Sequence, residues 1–322
     1  MRGHVLLSML FAVAACGPSA MSGDDDDTGG ADGGAGPDGR PFTPPDEFAD
    51  AAPAEACEKM DLLFVIDNSG SMGDEQANLA LNFPNFIGVL DTFTAENGAA
   101  IDYRVAVTST GVTKSWTQET FPGFPPIPSS QSGDDGAMLQ RCDMTRRWVE
   151  KSDADPAGTF ACAAQLGDNG PGLEMPLEAL RQAFDERMAD GTNAGFHRED
   201  ALLAIVVLTD ENDCSRQDNN FTLPLTEDMC GAASPVPPYA QFMDEVSGAP
   251  GRWAVAVIAG PGPGACSSEF GNADEATRLI EFAGLAGDNG VVASICEGDL
   301  TTGLSDALAT FQEACNQFPP IP

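Results

Sequence analysis

The chain has 322 residues, 42% of them apolar, enough for one large domain or two small ones with a proper core. It carries 15 Lys and Arg against 50 Asp and Glu, a formal net charge of −35. That charge disfavours nucleic acid and anionic membrane faces as partners; it suits divalent cations, basic partners or plain solubility.

Residues 1–15 read as a targeting segment: Arg2 gives a positive start, and an apolar run from Val5 to Ala15 is too short to span a bilayer as a helix. The run ends Val13-Ala14-Ala15-Cys16, which resembles a bacterial lipoprotein signal. The resemblance implies that Cys16 is lipidated and becomes the first mature residue. Because Gly17 follows rather than Asp, it implies the outer membrane, on either its periplasmic or its surface face. The alternative is a secretory signal cut near Ala14 or Ala15, with Cys16 incidental. From Cys16 to residue 56, Gly, Asp, Pro and Ala dominate without an apolar period, a flexible acidic tether. The chain has nine Cys; with Cys16 set aside an even number remains, which in an exported chain suggests disulfides. Eight Cys permit about a hundred pairings, and no CxxC occurs to suggest a zinc ribbon or redox motif.

From Cys57 the texture becomes that of a folded domain, expected over residues 57–322. LLFVI (62–66) predicts a buried strand, followed by a helix with Leu79, Phe83, Phe86, Ile87, Leu90 and Phe93 at helical spacing, kinked or split at Pro84. IDYRVAVTST (101–110) predicts a second strand. Residues 111–165 read as an irregular, loop-rich insertion with a short edge strand at RRWVE. Its basic residues Arg141, Arg146, Arg147 and Lys151 neutralise nearby acids or meet a partner. Leu173, Leu177, Leu180, Phe184 and Met188 form one helical stripe. ALLAIVVLTD (201–210) has the continuous apolar run of a central parallel strand. A second insertion, about 211–235, is followed by a helix at PPYAQFMDEV, a strand at RWAVAVIAG, and a helix with Ala276, Leu279, Ile280 and Ala283 inward. A short strand at GVVASIC and a helix with Leu300, Leu304, Leu308 and Phe311 aligned complete the chain. Strands alternate with helices, so the fold class is α/β: a doubly wound, mostly parallel central sheet flanked by helices.

In such a sheet, ligands bind beyond the carboxyl ends of the strands. The first strand ends in Asp67-Asn68-Ser69-Gly70-Ser71, the later central strand in Thr209-Asp210. D-x-S-x-S directly after a buried strand, in FVIDNSGSM, resembles the metal-ion-dependent adhesion site (MIDAS) of von Willebrand factor A (vWA) domains, found also in integrin inserted domains. IVVLTDEND resembles that family's second signature. The likeness covers about residues 57 to 315, and TDENDCS with the signal and tether also looks like exported bacterial lipoproteins of the family. It implies one divalent cation, Mg2+ first and Ca2+ or Mn2+ otherwise, with Ser69 and Ser71 as direct hydroxyl ligands. Asp67 and Asp210 would act mostly through water. Neutral direct ligands leave a hard cation short of electrons, so an acidic side chain of a protein or cell-surface partner can complete the shell.

The family pattern also supplies a Thr from the loop before the helix that precedes the second signature strand. Here that loop, AQLGDNGPGLEMPLEAL, has none. Asp168 or Asn169 is the candidate replacement, and an Asp there would make the site more anionic and more calcium-like. Asp213, with Glu211 close by, is a candidate for a second ion or simply faces water. The competing account of Asp67 and Ser69 is helix N-capping. The implied fold also pairs the cysteines: Cys57–Cys315 clasping the termini, Cys142–Cys162 and Cys214–Cys230 stapling the insertions, and Cys266–Cys296 joining the last two strand ends.

An enzyme is the rival class. His197 is the only His outside the targeting segment, so a His-ligated zinc centre lacks ligands, and neither HExxH nor GxxxxGK[ST] occurs. The expected function is therefore metal-dependent binding of a protein or surface ligand by a monomeric domain, held to the membrane only through its lipid and without nucleic acid. One alternative is a structural or assembly module whose ion only locks its loops; a metal-dependent hydrolase is a further one.

Overall fold

The structure, a computed structural model, describes residues 57–95, 97–227, 230–268, 271–297 and 300–319. The targeting segment, Cys16 and the tether lie outside the described residues.

Strand β1 (Lys59–Ile66) leads through a 3-10 turn (Gly70–Met72) into helix α1 (Gly73–Leu90) and strand β2 (Asp102–Ser109). The first insertion adds β3 (Lys114–Gln118), β4 (Ile127–Gln131), β5 (Val149–Glu150) and α2 (Pro156–Ala163). Helices α3 (Pro176–Phe184) and α4 (Glu186–Ala189) precede β6 (Leu202–Leu208), and β7 (Phe221–Leu223) lies in the second insertion. Then come α5 (Pro237–Ser247), β8 (Trp253–Ala259), β9 (Cys266–Ser268) and β10 (Gly271–Ala273). Helix α6 (Thr277–Leu285), strand β11 (Gly290–Ser294) and helix α7 (Thr301–Asn316) end the order.

The central sheet has the order β11-β8-β6-β1-β2-β5. Its first five strands are mutually parallel and β5 is an antiparallel edge. Side chains alternate across a strand, and every central strand is apolar on both faces, as a sheet covered on both sides requires. Leu62, Phe64 and Ile66 of β1 join Phe83, Phe86 and Ile87 of α1, Phe160 of α2 and Leu308 and Phe311 of α7 on one face. Leu63 and Val65 join Leu177 and Leu180 of α3, Met243 of α5 and Leu279 and Phe282 of α6 on the other. The ring of Phe64 meets those of Phe83, Phe86 and Phe160 at 5.8, 5.2 and 4.8 Å, which fastens α1 and the first insertion to β1.

The structure corrects several sequence expectations. Helix α1 runs unbroken through Pro84. The single stripe from Leu173 to Met188 is two helices, because the chain leaves helical geometry at Asp185 (φ −104°, ψ −85°). Phe282 rather than Ile280 is fully buried in α6. The two insertions are not irregular loops: β4, β3 and β7 form a second sheet, with β3 parallel to β7 and Trp116 stacked on Phe221 at 5.9 Å. The expected edge strand at RRWVE is β5. In the basic cluster beside it, Arg146 pairs with Glu150 and Asp153, and Lys151 donates to the carbonyls of Asp91 and Ile101. All four expected disulfides are present: Cys57–Cys315, Cys142–Cys162, Cys214–Cys230 and Cys266–Cys296.

Candidate metal centre

Register brings the two signature segments together. Ile66 pairs with Ser109 on one side and with Leu208 on the other, so the residues after β1, β2 and β6 leave the sheet at one rim. Asp67 N–H donates to the Leu208 carbonyl at 2.8 Å and Thr110 N–H to the Ile66 carbonyl at 3.2 Å.

Asp67 is fully buried and both its oxygens are engaged. Oδ1 accepts from Ser69 N–H at 2.8 Å and Oδ2 from Thr209 Oγ1 at 2.6 Å. Its carbonyl accepts from Gln76 Nε2 at 2.8 Å, which ties α1 back to the end of β1. The turn held in this way directs two hydroxyls to one place. Ser69 Oγ and Ser71 Oγ lie 2.9 Å apart, and Ser71 Oγ donates to Asp210 Oδ1 at 3.2 Å. Neither the 3-10 turn nor α1 has a side-chain cap, so N-capping is not what these hydroxyls do. The structure therefore brings Asp67, Ser69, Ser71 and Asp210 together.

The loop before α3 also reaches this turn. Gly170 N–H donates to the Asn68 carbonyl at 2.6 Å, and a Cβ on Gly170 would collide with the Asn68 side chain, so only glycine permits the approach. Asp168 Oδ2 lies 3.6 Å from the Cβ position of Gly73. Asp168 and Asn169 are exposed, however, and Asn169 Nδ2 bonds Asp168 Oδ1 at 3.0 Å.

The sequence reading missed Glu174. This residue forms a bridge with Gly111, its carbonyl accepts from Cys214 N–H at 2.9 Å, and Met175 N–H donates to the Thr110 carbonyl at 3.1 Å. It is wedged between the segments that leave β2 and β6, 1% exposed, with no N–H of another residue donating to its carboxyl, which faces Glu211 and Asp67. Thr110 Oγ1, also buried at this rim, has no partner, and neither does Asn68 Oδ1. The signal was a lone acid between Leu173 and Met175 in an apolar stretch.

Asp213 is a correction. It is fully buried and faces away from water: Arg278 Nε and Nη2 donate to its Oδ2 at 3.0 and 2.9 Å, and Leu177 N–H donates to its Oδ1 at 3.2 Å. With its oxygens filled by an arginine and a helix N–H, it serves α3 and α6 rather than a second ion. His197 lies 3.6 Å from Asp61, near the opposite end of β1 from the two serines.

The electrostatics of the rim are one-sided. Burial pushes the Asp67 carboxyl up, against the bonds from Thr209 and Ser69. Burial, then the Asp67 charge, pushes Asp210 up to about 7 despite Ser71. Burial, then Asp67 and Glu211, pushes Glu174 up to about 9. The largest influences on these three groups include no basic side chain. Buried carboxylates of like charge resist ionisation together, and a bound cation would reverse that balance. Among the described residues, no three His, Cys, Asp or Glu side chains form a metal-holding group by themselves. The convergent donors are two hydroxyls and a carboxylate, with unpartnered oxygens beside them. That all-oxygen chemistry fits a hard divalent cation.

No family model and no curated protein matches the sequence. Similar solved structures include proximal thread matrix protein 1 of the mussel byssus, at 13% identity over 80% of this chain and 49% of that one, TM-score 0.43. The human COPII-coat protein Sec24c matches at 12% identity over 80% and 33%, TM-score 0.43. The pilus adhesin SpaC of Lactobacillus rhamnosus GG matches at 10% identity over 82% and 31%, TM-score 0.41. The chain spans less than half the length of each of these, and identities and scores this low transfer no function.

Proposed function

We propose that this chain is an exported outer-membrane lipoprotein, anchored through Cys16, whose residues 57–322 form a doubly wound vWA-like domain. In this reading the domain binds a protein or cell-surface ligand through one divalent cation at the rim. The observation that carries it is the relay Ser69–Ser71–Asp210, assembled from two separate strand ends behind a fully engaged Asp67. Ser69 and Ser71 hold the cation through their hydroxyls. Asp67 fixes the turn, Asp210 supplies charge from β6, and Asp168 stands at the rim loop. When bound, the cation supplies an electron-poor position for an oxygen of the partner, such as an acidic side chain. Four disulfides support an oxidising compartment, hence export.

A second reading has its own observation. The turn is tied to α1 through Gln76 and to the loop before α3 through Gly170, so a cation there would also lock those elements together. Partner binding that survives Asp67→Ala would favour this structural role. The test of the cation itself is thermal melting in Mg2+, Mn2+, Ca2+ and EDTA, on the native chain and on Ser69→Ala with Ser71→Ala. The native midpoint should rise with metal and the double variant's should not. A native midpoint that no metal moves would end the proposal.

A further inference from the structure

The acids at the rim carry more negative charge than one dication neutralises. Asp67 is held from both sides by internal donors, and Asp210 accepts from Ser71. Glu174 differs from both. It is 1% exposed, no N–H of another residue donates to its oxygens, and its carboxyl faces other acids, the Glu211 carboxyl and the Asp67 charge. Its backbone position is fixed by the bridge to Gly111 and the bond from Cys214 N–H. The neighbouring Thr110 hydroxyl is buried as well, and unpartnered. A buried carboxyl set among other acids is costly, and an unpartnered buried hydroxyl on the adjoining segment adds to it; both at one rim point to a cationic ligand there.

We infer that Glu174 is a cation ligand of this rim, and that its carboxylate makes the site prefer Ca2+ over Mg2+. The inference rests on the proposed cation site and names the residue that sets its ion. Calcium takes six to eight oxygens, accepts bidentate carboxylates and tolerates irregular geometry, whereas magnesium demands a near-octahedral shell and keeps its waters. A donor set of two serine hydroxyls, Asp210 and a rigidly placed glutamate suits the larger ion. Where the loop before α3 offers no Thr, Glu174 gives the site a charged ligand in place of a neutral one. The expected candidates Asp168 and Asn169 stay in solvent.

The experiment is calorimetric titration of the full chain with Ca2+ and with Mg2+ at physiological salt. The native chain, Glu174→Gln, Glu174→Thr and Ser69→Ala with Ser71→Ala are compared, the last as the background for non-specific binding to an acidic surface. The native chain should bind Ca2+ at least about tenfold more tightly than Mg2+, and Glu174→Gln should weaken Ca2+ by about tenfold or more while changing Mg2+ little. Glu174→Thr, which restores a neutral hydroxyl, should narrow the preference in the same way. In EDTA, Glu174→Gln should melt at or above the native midpoint, because it replaces a buried acid among other acids by a group of the same size that cannot ionise. Glu174→Gln binding Ca2+ as the native chain does, or melting lower in EDTA, would overturn the inference while leaving the cation site standing. Native binding no stronger than that of the double serine variant would overturn both.

Discussion

Asp67 shows how one residue organises the rim. Its two oxygens accept from Ser69 N–H and Thr209 Oγ1, and its carbonyl accepts from Gln76. Asp67→Ala would leave the buried Ser69 N–H and Thr209 hydroxyl without acceptors, at a cost of about 1–3 kcal/mol each at most. The expected result is a lower urea midpoint in EDTA together with loss of any metal-induced rise, read by fluorescence on the same samples. Asp67, Ser69 and Ser71 were legible because they sit at alternate positions directly after an apolar run. Glu174 was not, because it resembles any acid at the start of an amphipathic helix; only the pairing with Gly111 reveals that it is buried. Asp213 shows the converse. Its place beside Asp210 made it look like a ligand, and its partner Arg278 lies 65 residues away, in α6.

Among the elements, β1 and β6 stand out as continuous apolar runs, since a strand covered on both faces has little choice of composition, and β2 by alternation of Tyr103, Val105 and Val107. The break between α3 and α4 does not, because the apolar stripe continues across it. Pro84 does not break α1, whose Phe83, Phe86 and Ile87 are pinned in the core on either side of it. Packing there outweighs the lost backbone bond. Phe64→Ala would remove the ring shared by α1 and α2 and should cost about 3–5 kcal/mol in chemical denaturation. Cys57 precedes β1 and Cys315 lies in α7, so their bond clasps the two ends of the described domain. Replacing both by Ser should lower stability by about 2–5 kcal/mol under oxidising conditions, with the other three bridges intact by peptide mapping.

At the scale of the whole molecule, the acidity concentrated at the rim predicts a pH dependence. In the metal-free chain Asp210 and Glu174 titrate near 7 and 9, against ordinary values of 3.8 and 4.5. The folded state therefore holds protons that the unfolded state has released. Their contribution to stability is complete below the ordinary carboxylate range and is lost as pH rises through 7 toward 9. Melting midpoints in EDTA should fall from pH 5 to pH 9, and saturating Ca2+ should flatten or reverse that trend, since a cation favours the ionised carboxylates. A midpoint in EDTA that rises across this range would contradict the electrostatic account of the rim.

Local chemistry was enough to place the strands of the central sheet, most of the helices and the two halves of the rim, because burial on both faces, helical spacing and alternating hydroxyls leave marks within a few residues of chain. The four disulfide pairs followed once a topology was assumed. What needed the tertiary structure was each pairing of distant segments that neither a motif nor the assumed topology implied. The union of β3 with β7 across two insertions, the arginine that fills Asp213 and the burial of Glu174 beside Thr110 are of this kind. These depend on which surfaces meet when the sheet closes. A single sequence records the chemistry of each surface but not the identity of its neighbour.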